Sequence, residues 1–158
     1  MPDNASRIKK LIEDAFAGVF LEDGVGLLEG QAIDDYAKPD VQATARSKDE
    51  TEDWTQIPAD QLNSAQSSLS FFDSKGMRFH LPAFLLAEIR GELAADIVFH
   101  LTYTDEEAFS RFSLLNPEQR ESVHQFLLYH LETIPEPNRR LEKPMIEKAI
   151  EDFSSHGS

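Results

Sequence analysis

The chain has 158 residues, 41% of them apolar and 28% charged, the composition of a folded domain long enough for a sizeable core. It contains no cysteine, which excludes disulfides, thiol catalysis and thiolate metal sites. Fifteen basic against twenty-nine acidic residues leave a formal charge of −14, a field that repels phosphate backbones and anionic bilayers.

Nucleic acid and membrane surfaces are therefore not expected as partners. The acidity itself has two readings: solubility, or attraction of a basic protein partner. In chain order, the clearest periodicity comes first. Ile8, Leu11, Ile12, Ala15, Phe16 and Val19 fall on one stripe of an amphipathic helix, with Asn4 or Ser6 as its cap and Gly18 near its end. Lys9, Lys10, Glu13 and Asp14 interrupt that helix, so it does not read as a signal peptide. A cytoplasmic, reducing location is the expectation.

A second helix is predicted over 25–36, with Leu28, Ile33 and Tyr36 inward, although Gly26 and Gly30 weaken it and Pro39 ends it. Residues 40–53 are polar, with Asp49, Glu50, Glu52 and Asp53 clustered at their end. They form either an exposed helix or a mobile connection. Trp54 and Ile57 re-enter the core, and Pro58 suits the first position of a short helix reaching about Ala65.

The stretch 69–91 is the densest apolar run. Ala83, Phe84, Leu85, Leu86, Ala87 and Ile89 leave only Glu88 and Arg90 for water, so a helix there must be covered on several sides. It reads as a helix from about Ser74 to Arg90, kinked or interrupted at Pro82 and stopped by Gly91. The alternation of Met77, Phe79 and Leu81 also allows a short strand ahead of Pro82. Ile97–Tyr103 alternates as a strand would, with Ile97, Phe99, Leu101 and Tyr103 on one side. Such a strand needs a partner, either 77–81 or a second copy of the chain, which makes a dimer through this region an option.

A short helix is predicted from about Asp105, carrying Phe109 and Phe112. Asn116-Pro117-Glu118-Gln119 supplies a cap, a first-turn proline and a capping-box glutamine for a helix to about Glu132. A last helix is expected over 143–153, with 154–158 as a frayed tail. The expected architecture is one domain, 1–158, mostly α and at most α+β. About six helices surround a buried central helix near Pro82–Arg90, with one short strand region near Ile97–Tyr103.

Little of this carries chemistry. Glu121-x-x-His124 is a single ligand-type pair, and no second copy faces it. No metal and no cofactor are expected. His130 sits on an apolar helix face, where a hydrogen-bonded core histidine is the ordinary reading. Arg78 and His80 flank the central helix within an apolar stretch. Arg78 is either one half of an internal ion pair or an anchor for an acidic ligand. Trp54 is either a core wedge or an exposed partner contact. No residue is assigned a catalytic role. Trp54, Arg78 and His80 are the ligand or partner candidates.

The run Trp54…Ile57-Pro58…Leu69-Ser70-Phe71-Phe72, followed by Gly76-Met77-Arg78-Phe79-His80-Leu81-Pro82-Ala83-Phe84-Leu85, resembles a family of small uncharacterised bacterial proteins with an "LSFF…GxRFxLPAxL" core. The likeness covers about Trp54 to Leu131. It implies a shared fold and no particular activity. The functional expectation is a non-catalytic cytoplasmic protein-binding domain, immunity-like or regulatory, with an acidic surface. The alternative is a small hydrolase-like enzyme with a pocket around Arg78 and His80.

Overall fold

The apolar stripe of the first helix is capped one residue earlier than Asn4. Asp3 accepts from the Ser6 N–H at 2.8 Å, and α1 runs Asn4–Ala15. This is a computed structural model, and it describes residues 3–102 and 105–154. Among them are nine α-helices and no strand.

After Gly18, at φ +77°, the chain forms α2 (Leu27–Asp34) and α3 (Pro39–Ser47). The two glycines that weakened α2 in the sequence sit where a side chain would not fit. A Cβ on Gly30 would lie 2.6 Å from that of Ser68, and one on Gly26 would run into the Asp49 carboxylate. That carboxylate accepts from the Leu28 N–H at 2.7 Å and the Glu29 N–H at 3.2 Å. It does for α2 what glycine at the N-cap cannot. Residues 40–53 are thus helical as far as Ser47, and Asp49 ties their far end back to α2.

A 3₁₀ turn at Trp54–Gln56, α4 (Ala59–Ser64) and a second 3₁₀ turn at Gln66–Ser70 lead to α5 (Ser74–Ile89). Asp73 caps α5 through the Gly76 N–H at 2.8 Å. Met77–Leu81 is helical, and the helix continues through Pro82. The missing Pro82 N–H removes one bond from the turn. Eleven of the sixteen residues are buried, and that burial outweighs the loss. The stop is a Schellman arrangement. Gly91 at φ +74° lets its own N–H reach Glu88 O at 3.0 Å and the Glu92 N–H reach Ala87 O at 2.9 Å.

The expected strand region is instead α6 (Ile97–Thr102). Ile97, Val98 and Leu101 are buried, the spacing of a helical face, while Phe99 is 50% exposed where the alternation required it inside. Asp96 was the overlooked start signal, for its carboxylate accepts from the Phe99 N–H at 3.0 Å. Tyr103 lies outside the described residues. With 77–81 inside α5, the described residues contain no strand, so the strand pairing from which a dimer was an option is not seen among them.

The chain closes with α7 (Glu106–Phe109), a 3₁₀ turn at Ser110–Phe112, α8 (Pro117–Thr133) and α9 (Asn138–Ser154). The capping box of α8 forms as expected, Gln119 N–H to Asn116 at 2.8 Å and Asn116 N–H to Gln119 at 3.0 Å. The last helix begins five residues earlier than expected and takes Pro144 into its second turn. Residues 155–158 of the expected tail lie outside the described residues. The described residues hold more helices than the six or so expected, because α3 falls in the segment left open between helix and connection and α6 in the one read as a strand.

α8 packs between α1 and α9, and α5 packs against α1, α4 and α6. One apolar cluster runs through all of them, from Ile8 to Phe153.

Candidate functional site

His80 and Arg78 are neighbours in sequence but not in space. Two residues on a helix are separated by about 200° of rotation. His80 is wholly buried, its ring stacked on Phe72 with centroids 4.4 Å apart and planes within 2°. Its Nδ1 lies 2.7 Å from the Gly76 carbonyl, so Nδ1 carries the proton and donates. Burial lowers its pKa to about 4, which keeps the ring neutral. Its buried Nε2 has no hydrogen-bond partner among the described residues.

Arg78 points away from His80 to the junction of α1 with the loop that follows. Its Nη2 donates to Glu22 at 2.6 Å, in an ion pair whose side chains are 23% and 50% exposed. Glu22 occupies the left-handed region at φ +59°, and its carbonyl accepts from Arg46 of α3 at 2.9 Å. Arg78, Gly18, Phe20 and Leu114 line an open depression of about 510 Å³ that does not include His80.

Trp54 leads to the more enclosed place. It is 4% exposed, and its Nε1–H donates to the Phe16 carbonyl at 3.0 Å. With its polar atom satisfied, the indole presents only apolar surface. A groove of about 520 Å³ opens beside it, floored by Trp54, Leu62, Ala83, Leu86 and Ala87. Ala83 and Ala87 lie one turn apart on α5, and their small side chains leave the space. Its rim carries Glu13 from α1, with Arg90 and Glu92 beyond the end of α5. Asn63 fixes that end, accepting from the Ala94 N–H at 2.7 Å and donating to the Glu92 carbonyl at 2.9 Å. Glu13, Arg90 and Glu92 form no ion pair among the described residues.

Among the described residues the lining has no histidine, serine or lysine. Its one hydroxyl, on Thr55, donates to Asp53 at 2.6 Å. Such a groove can hold an apolar group between charged neighbours, and it offers no base and nucleophile in register. The sequence pointed to Trp54 but not to the groove, because Glu13, Trp54 and Glu92 are far apart in the chain. The available signal was the Ala83/Ala87 pair on an otherwise bulky helix.

The other candidates stay local. His124 lies 3.1 Å from Glu121 at the surface, and among the described residues no cluster of three or more potential ligands forms. His130 is half-buried, 3.8 Å from Glu142, and burial lowers its pKa more than Glu142 raises it. No described helix is long and apolar enough to cross a membrane.

Residues 4–153 match the model of a family of unknown function, DUF6714, and the chain belongs to that family. No curated protein and no solved structure matches it.

Proposed function

We propose that this chain is a non-catalytic protein-binding domain, immunity-like or regulatory in kind, which meets a basic protein partner in the bacterial cytoplasm. The observation that carries the reading is the Trp54 groove. It is concave, has an apolar floor, and has two rim carboxylates that form no ion pair among the described residues. The charge of −14 extends the same preference over the surface and speeds encounter with a cation-rich partner. Against the enzyme alternative stands the separation of Arg78 from His80, one in an ion pair and the other sealed in the core.

A photo-crosslinking residue placed at Thr55 on the groove, and another at Met145 on the outer face of α9, would test this in cells. Capture of basic proteins at position 55 that fades as salt rises, with none at 145, is the expected result. Equal capture at both positions, or capture of acidic proteins, sinks the reading.

A further inference from the structure

The reading above leaves open what enters the groove. We infer that its occupant is an extended segment of a basic protein with one apolar side chain between two basic ones. The inference rests on the protein-binding reading and names the chemistry of the segment.

The floor sets the first requirement. Trp54, Leu62, Leu86 and the two alanines offer no hydrogen-bonding group, so whatever lies on them must be apolar to replace water favourably. At about 520 Å³ the groove holds a side chain of leucine or phenylalanine size together with the backbone on either side.

The rim sets the second. Glu13 on α1 and Glu92 just past the end of α5 are exposed rim residues from distant parts of the chain, and neither forms an ion pair among the described residues. Cations on both sides of the apolar residue would meet them. Arg90, the one cation of the lining, shares the Glu92 end and lowers its negative charge. Glu13 is therefore the stronger contact of the two.

Trp54 is the only tryptophan in the chain, so its emission reports the occupancy of the groove directly. The full chain would be titrated with three short synthetic peptides: leucine between two lysines, leucine between two glutamates, and the same lysines without leucine. A saturable emission change is expected with the first peptide alone. Glu13→Gln should weaken it about three- to tenfold, and Glu92→Gln less, as expected of exposed rim charges. Neither exposed substitution should move the melting temperature. Ala59→Phe, at the edge of the groove, should abolish the change by filling the space.

Equal binding of the glutamate peptide overturns the inference. So does binding that survives Ala59→Phe, or silence of Trp54 with all three peptides. If the peptides fail while basic proteins are still captured by crosslinking, the groove chemistry falls and the protein-binding reading stands. If no basic protein is captured either, both fall.

Discussion

Helices α5 and α3 lie at opposite ends of one scale. Eleven of the sixteen residues of α5 are buried, and none of the nine in α3. α5 survives an internal proline because the core surrounds it. α3 survives without a core by local means: Pro39 pre-sets its first turn, Gln42 donates to the Ala37 carbonyl at 2.9 Å, and Arg46 lies 3.5 Å from Glu29 of α2. A helix can thus be specified by what covers it or by what ties its ends. The two kinds should fail differently when altered.

The largest effect belongs to the covered helix. Phe84→Ala or Leu85→Ala should destabilise by ~2–5 kcal/mol, since each side chain is wholly buried and leaves a void at the centre. Val41→Ala on α3, where the side chain is half exposed, should stay within ~0.5 kcal/mol. Urea midpoints would show both. Equal shifts would mean that α3 bears on the core after all.

The same contrast explains what was legible in the sequence. The second half of α5 was visible because the run 83–90 leaves almost nothing for water, and the cap at Asp73 and the stop at Gly91 agree with a helix, whereas 77–81 alternates well enough to leave a strand open there. α8 was visible through its capping box. α6 was misread because six residues can satisfy period two and period 3.6 at once, and only the Asp96 cap decides between them. The start of α9 was missed because Pro144 reads as a boundary when its neighbours are not known. Of the candidate site, Trp54 was legible as a single residue. The groove was not, since it exists only where α1, the Trp54 turn and the end of α5 meet.

The next effect sharpens the comparison through pH. His80 is sealed in α5 and titrates near 4, against 6.5 in an unfolded chain. Below about pH 6.5 the unfolded state takes up a proton that the native state refuses. Stability from this group is therefore complete above that pH, is lost as pH falls, and is gone near pH 4. The loss amounts to ~3 kcal/mol. His80→Phe, which retains the stacking on Phe72, should remove this component. Its stability should fall less steeply between pH 6.5 and 4 than that of the natural chain, whatever its absolute value. Parallel curves for the two would show that the ring is not sealed from solvent.

The smallest effect lies where the two regions touch. Glu22 is held from both sides, its carboxylate by Arg78 of α5 and its carbonyl by Arg46 of α3. Had Arg78 been deeply buried, removing it would strand a charge and cost several kcal/mol. Its side chain is 23% exposed and that of Glu22 is half exposed, so water screens the pair and can solvate whichever partner is left. The buried Arg78 Nε, which has no partner among the described residues, is a further liability that substitution would remove. Arg78→Met should therefore cost only ~1 kcal/mol, and a double-mutant cycle with Glu22→Gln should return a coupling of ~0.5–1 kcal/mol. A coupling above ~3 kcal/mol would place the pair with the covered helix rather than at its edge. An Arg78→Met variant as stable as the natural chain, or more so, would mean the opposite. The guanidinium would then be kept at the expense of stability, as groups that wait for a ligand commonly are, and the depression beside Phe20 and Leu114 would become the place to look for it.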